Sequence, residues 1–283
     1  MKPRLTAQES GFTVIELMVA IAIGLIITLV VTQAYLSGLG TQRAQTDISR
    51  AQEASRFGFD LLAQSIRKAG YKNPTATGIG YCTSSPTGRI AMTNDPASVT
   101  LGSTTYTILN SSDILRVNYF GEGAGTGDGS IVDCLGNTVA ANTQVQDVFF
   151  VAADANNDNE PALFCFAGAS ATAQPLVPGI ESLQLLFGDD TDSDGTVNRY
   201  VTATNVSNAN NVRNIVISVV ARTKETSAID NSARTFSHFG QRYAGTTPTA
   251  PTGDSGSVFT SPADGRTRQQ FSTTIALRNL CPI

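Results

Sequence analysis

The chain has no tryptophan and a single histidine, His238, among its 283 residues. An indole platform for stacking sugars or bases is therefore excluded. Lysine is scarce, with only Lys2, Lys68, Lys72 and Lys224. Charged residues make up 15% of the chain, well short of the roughly 25% usual in soluble proteins. The balance is acidic, with net charge −4 and an isoelectric point near 5.0, which argues against nonspecific nucleic-acid binding. Catalytic signatures are also missing. There is no G-x-S-x-G elbow and no phosphate-binding loop ending in Gly-Lys. The glycine-rich stretch at 121–129 lacks both the lysine and a following helical pattern. No two cysteines stand at zinc-site spacing. An enzyme is not expected.

What is present is uneven. Hydrophobic residues reach 41%, enough for a sizeable core. One apolar run dominates: residues 12–31, FTVIELMVAIAIGLIITLVV, with Glu16 as its one charge. As a helix it spans roughly 30 Å, the thickness of a bilayer core. Lys2 and Arg4 precede it. Positive charge on that side predicts a cytoplasmic N-terminus and a C-terminal part outside. The run is too long for an ordinary signal peptide, and no small-residue cleavage site follows it. A carboxylate in such a helix is costly unless it finds a partner.

Four cysteines, Cys82, Cys134, Cys165 and Cys281, would then sit in an oxidising compartment, most simply as two disulfides. Three connectivities are open. The pairs Cys82–Cys134 and Cys165–Cys281 are the favoured expectation, because they do not interleave.

The helical pattern continues beyond the apolar run. No proline occurs between Thr32 and Ala69. Apolar or small residues recur at Ile48, Ala51, Ser55, Gly58, Leu62 and Ile66, opposite Arg50, Glu53, Arg56 and Asp60. That spacing predicts one amphipathic face. Arg67, Lys68 and Gly70 are stop signals. A single helix over 12–69 would be roughly 87 Å long. After it the period changes to two. Strands are expected at 114–120, 147–153, 162–168, 182–188, 199–203, 214–222 and 271–279. Long helical patterns do not recur, so an antiparallel sheet is favoured and the fold class is α+β. Four segments follow: a leader over 1–11, an apolar half-helix over 12–31, an amphipathic half over 32–70, and a β domain over 71–283.

Gly11-Phe12, followed by Glu16 within GFTVIELMVAIAI, resembles the class III prepilins of type IV pili and type II secretion systems. The resemblance implies cleavage between Gly11 and Phe12 by a prepilin peptidase, then N-methylation of Phe12. It implies that Glu16 pairs with a Phe12 amine during assembly. The helix exit QEASRFGFDLLAQSIRKAGY, the segments LLFGDDTDSDGTVNRYV and VRNIVISVVART, and the ending FSTTIALRN are similar to the PilW-type minor pilins, themselves close to the J-type pseudopilins. That likeness implies the type IV pilin fold. It also implies a role in priming a pilus at its tip, with other minor pilins, the major pilin and the inner-membrane assembly machinery as partners. A secretion pseudopilin is one alternative. A tip adhesin binding through the loops at 121–129 and 246–257 is another.

One further motif stands out. Asp190, Asp192 and Asp194 alternate before Gly195, with Asn198 beyond, as in the first half of a calcium loop. Val201 stands where a bidentate glutamate would close an EF-hand. Two readings stay open: an acidic, solvated hairpin turn, and a weaker calcium site at a strand connection, with no other cofactor expected. The run Asp154, Asn156, Asp158 and Glu160 lacks the glycine and is expected to be an Asx-rich turn.

Overall fold

The structure is a computed structural model. It describes residues 11–72, 88–168, 170–206, 208–224, 226, 231–245 and 247–279. The leader expectation (apart from Gly11), Cys82 and Cys281 lie outside the described residues. The chain divides into two compact units, Met1–Thr46 and Asp47–Ile283.

Helix α1, Val14–Lys68, contributes to both units. In the first unit it is apolar, and its side chains over Val14–Val31 are exposed. Its hydroxyls are satisfied within the helix: Thr28 Oγ1 donates to Gly24 O at 3.0 Å, and Thr32 Oγ1 to Thr28 O at 2.7 Å. Such back-bonding makes a hydroxyl tolerable in lipid.

In the second unit the pattern read from sequence holds. Ala51, Ser55, Gly58, Leu62 and Ile66 are buried, while Arg50, Glu53, Arg56 and Asp60 are exposed. The helix stops at Gly70, which takes the left-handed conformation with φ 72°. A Cβ there would sit 3.0 Å from the Arg89 side chain and 3.3 Å from Asn279 O, so glycine is required for space as well as for backbone angle.

The strands follow in order. They are β1 (Ile90–Thr93), β2 (Ser98–Leu101), β3 (Thr104–Thr107), β4 (Ile114–Phe120), β5 (Gln144–Asp154), β6 (Glu160–Ala167) and β7 (Gln174–Pro178). Then come β8 (Ile180–Asp189), β9 (Arg199–Val201), β10 (Val212–Arg222), β11 (Thr235–Ser237), a short helix α2 (Gln241–Ala244), β12 (Val258–Thr260) and β13 (Arg268–Ala276). A five-stranded sheet has the order β1-β4-β5-β6-β7, and a four-stranded sheet the order β13-β10-β8-β9. Every pairing between named strands is antiparallel. β2–β3 and β11–β12 form separate ribbons. The fold class is α+β, as expected.

Burial explains the layering. β6 of the five-stranded sheet and β8 of the four-stranded sheet are buried at every residue, so each sheet is covered on both faces at that strand. Phe149, Val151 and Leu163 join Leu62 and Ile66 of α1 and Leu183, Leu185, Ile215 and Ile217 of the second sheet in one core. The alternate residues Val148, Phe150 and Phe164 face the other way, against Val99, Leu101 and Tyr106 of the β2–β3 ribbon. Phe150 and Phe164 are cross-strand partners whose rings stack at 5.6 Å, an arrangement worth a fraction of a kcal/mol to about 1 kcal/mol beyond burial.

The disulfide expectation needs correction. Cys134 is bonded to Cys165, with Cα atoms 6.4 Å apart, which rules out both expected pairs, Cys82–Cys134 and Cys165–Cys281. The cause is local. Asp147, on β5, accepts a hydrogen bond from Cys134 N at 3.2 Å and so draws that loop onto the sheet. Cys165 lies on the adjacent β6. Closing a loop of 31 residues removes about 3–4 kcal/mol of unfolded-state entropy in the chain-entropy account. The Cys134→Ser/Cys165→Ser variant should lose that much in a urea titration, and a loss below about 1 kcal/mol would show that Asp147 alone holds the loop.

Candidate functional site

The candidate assembly site is the start of α1. Thr13 precedes the helix, and Glu16 lies in its first turn. Thr13 N and Thr13 Oγ1 donate to Glu16 Oε2 at 2.9 and 3.0 Å. Glu16 N in turn donates to Thr13 Oγ1 at 3.3 Å. This reciprocal pair is a capping box, which satisfies donors that a helix start leaves open. Both hydrogen bonds use Oε2. Glu16 Oε1 therefore keeps its acceptor capacity, at the mouth of a helix whose positive dipole end favours an anion. Phe12 is 91% exposed. Behind it, Val14–Gln42 has mean hydropathy 2.9 and no burial.

The acidic loop after β8 has its own geometry. Asp190, Asp192 and Asp194 each offer an oxygen within 4.8 Å of the others. Asp190 is fully buried and paired with Arg213, Nε at 2.8 Å and Nη2 at 2.7 Å. It also accepts from Asp194 N and Gly195 N at 3.2 and 2.9 Å. Asp194 accepts from Thr196 N and Oγ1, and these bonds hold its carboxyl below the usual range. Asn198 faces two ways: its oxygen accepts from Thr191 N at 2.7 Å, and its amide donates to Asp192 at 3.3 Å. The loop is thus a self-closed turn whose buried carboxylate already has a cation in Arg213. These four residues are brought together, but an acidic cluster satisfied in this way carries no metal assignment.

The family model of Type IV Pilus-assembly protein W matches residues 148–279, and that of the prokaryotic N-terminal methylation motif matches residues 6–32. Together these matches support a type IV pilus minor pilin of the PilW type. Among solved structures the pilin is similar to a type IV-like pilin from Thermus thermophilus, with 16% identity and a TM-score of 0.43 over 82% of this chain and 97% of that one. No curated protein matches it. The pilin carries a methylation motif and is anchored in the membrane by its apolar helix before assembly. Its family and fold are structural rather than catalytic.

The remaining candidate residues of the pilin sort by geometry. His238 is buried between Ser182 Oγ at 3.0 Å and Ser218 Oγ at 2.9 Å, with no carboxylate bonded to the ring among the described residues, so it ties two sheet strands together. Asp154 accepts from Asn156 N at 3.0 Å, which makes the 154–160 segment the expected Asx turn. Glu160 leaves that turn for Arg222 and Arg266, at 2.8 and 2.7 Å.

Sequence reading missed Thr13, although T-x-x-E ahead of an apolar run is a capping signature. It also missed Asp147. That carboxylate is fully buried and accepts from Ser65 Oγ and Tyr119 OH, each at 2.9 Å, with Lys68 Nζ at 3.7 Å. Nothing local could have found it, because its partners come from three other elements.

Proposed function

We propose that this minor pilin primes filament assembly at the pilus tip together with other minor pilins. The supporting observation is the start of α1: an exposed apolar stretch, Val14–Gln42, led by one carboxylate with an uncommitted oxygen. An apolar helix with no internal cover must lie in lipid or against equivalent helices. Moving between the two costs little apolar burial, so a polar contact sets register. The leader is removed between Gly11 and Phe12 by the prepilin peptidase on the cytoplasmic side, where Lys2 and Arg4 hold the N-terminus. Cleavage and N-methylation leave a cationic amine at Phe12. Glu16 Oε1 is the acceptor for that amine, from its own chain or from a neighbouring major or minor pilin.

Two substitutions separate capping from assembly. Glu16→Gln keeps a capping-box acceptor at the same helix position but removes the charge. Glu16→Ala removes both. Both variants should process normally, showing an intact mass that begins at Phe12 with one added methyl. Both should leave cells with few or no filaments when they replace the native chain, while major-pilin levels stay unchanged. Normal filament numbers with Glu16→Gln would sink the charge-pairing account. Normal filament numbers in cells lacking the chain altogether would sink the priming role.

A further inference from the structure

A second acidic cluster lies where no sequence motif marks it. Asp95 follows β1, Asp113 precedes β4, and Asp254 precedes β12. One carboxylate oxygen from each falls within 4.8 Å of the other two. Asp113 is fully buried and Asp254 is 1% exposed, whereas Asp95 is partly open to solvent.

The cluster is held but not neutralised. Asp113 accepts from Asn94 Nδ2 and Asp95 N, each at 3.2 Å, and from Leu185 N at 2.8 Å. Asp95 accepts from Ser255 N, from Ser255 Oγ at 2.9 Å and from Gly256 N at 3.0 Å. Asp254 accepts from Tyr243 OH at 2.6 Å through Oδ2. Its other oxygen, Oδ1, is buried with no donor. So is Gln184 Oε1, whose amide nitrogen is spent on Ser111 O at 2.7 Å. Among the described residues, no lysine or arginine pairs with any of the three aspartates. Gly256 closes the site. A Cβ there would lie 2.9 Å from Asp95 Oδ1 and would collide with the Gln184 amide and Ser111 O.

Three carboxylates packed this closely repel one another, and burial strengthens the repulsion. A buried acceptor without a donor adds a desolvation cost. The Asp190 loop has Arg213 to answer its charge, and this cluster has no such residue among those described. We propose that Asp95, Asp113 and Asp254 form a calcium site, with the unpartnered Asp254 Oδ1 and Gln184 carbonyl as further oxygen ligands. All the candidate donors are hard oxygens, which excludes a preference for zinc or copper. They come from separate segments and several already accept hydrogen bonds, an irregular set that suits the flexible coordination of calcium better than the strict octahedron of magnesium. Asp95, partly exposed, is the entry side. The bound ion would tie the β1–β2 connection and the head of β4 to the loop that leads into β12.

The test uses the full-length pilin in detergent, stripped with EGTA, then titrated with calcium chloride by calorimetry and melted by circular dichroism. One calcium per chain is expected, with a Kd of about 0.1–1 mM, the range of extracellular modules. Ten millimolar calcium should raise Tm by about 3–8 °C, and magnesium by less than half as much. Asp254→Asn should weaken calcium binding at least tenfold (about 1.4 kcal/mol) and raise Tm in EGTA, because repulsion is relieved. Asp95→Asn, at the rim, should weaken it to a smaller extent and covers the case in which Asp254→Asn fails to fold. Asp192→Asn should leave the calcium response unchanged. The absence of any calcium response in the native chain overturns the site and identifies the carboxyls as sharing protons instead. Loss of the response in Asp192→Asn with retention in Asp254→Asn overturns it too, by placing the ion in the other loop. Neither result touches the assembly role, which rests on α1.

Discussion

Replacing Asp147 with alanine is expected to destabilise the β unit by about 3–5 kcal/mol, the range for breaking a buried charge pair from one side. The side chain is fully buried on β5, and its two oxygens serve four groups. Ser65 and Lys68 come from the last turns of α1, Tyr119 from β4, and the Cys134 amide from the loop that carries the disulfide. Burial raises the Asp147 carboxyl above its usual range, against Lys68 and the three hydrogen bonds, which pull it down. Burial lowers Lys68, against Asp147 and Asp133. Lys68 Nζ also donates to Val132 O at 2.5 Å and lies 4.5 Å from the centre of the Tyr119 ring. Alanine would remove the acceptor shared by Ser65, Tyr119 and the Cys134 amide, and with it the counter-charge of Lys68. Asp147→Asn keeps an acceptor for some of them and should cost about half as much. Lys68→Met in the Asp147→Asn background should recover part of that loss, because the uncompensated ammonium is gone. Urea titrations of the four proteins decide the matter. If Asp147→Ala costs less than about 1 kcal/mol, the hydrogen bonds are being replaced by water, and Asp147 does not anchor the helix.

The reach of sequence reading follows from how far apart the deciding groups stand. α1 was legible because its signals are local: the absence of proline, the i/i+4 apolar face, and the stop at Gly70. β4 and β10 were legible because their apolar runs are long and bounded by turns. β7, QPLVP, was not, because Pro175 and Pro178 demote it. It exists as an edge strand paired only with β6, where a missing N–H is tolerated. β3, TTYT, has no buried residue, so it sends no apolar signal. The strand expected at 199–203 stops at Val201, and Ala203–Asn205 turns into a 3-10 helix.

The methylation motif over residues 6–32 was equally legible, since Gly11, Phe12 and Glu16 sit within one short stretch. The disulfide and the Asp147 network were not. Ser65 and Asp147 stand 82 residues apart, and only the folded sheet brings them together. The alternating aspartates at 190–194 drew attention because their spacing resembles a ligand loop, yet Arg213, 23 residues away, answers their buried charge. The three aspartates with no such answer carry no spacing signal at all.

A second large effect should appear as the pH falls. His238 is buried, and burial holds its ring down at about pKa 3, against about 6.5 in an unfolded chain. Between those values the unfolded chain binds a proton that the folded one does not. Stability therefore rises with pH across this window and is lost on acidification from 6.5 toward 3. The slope of 1.36 kcal/mol per pH unit gives a loss of about 2 kcal/mol at pH 5 and about 4–5 kcal/mol at pH 3 from this residue alone. Asp254 acts in the opposite sense. Burial lifts its carboxyl to about 6, so its contribution is present at low pH and fades as the pH rises through that value. The two must be separated by difference. His238→Asn gives up at least one of the serine contacts and should cost about 1–3 kcal/mol at pH 7. It should also remove the histidine slope, so the native advantage shrinks steadily below pH 6.5 and is gone near pH 5. Urea titrations of both proteins at pH 7, 6 and 5, in EGTA, measure that difference. Parallel stability curves would mean that His238 titrates alike in both states and that the ring is not held in a dry contact between Ser182 and Ser218.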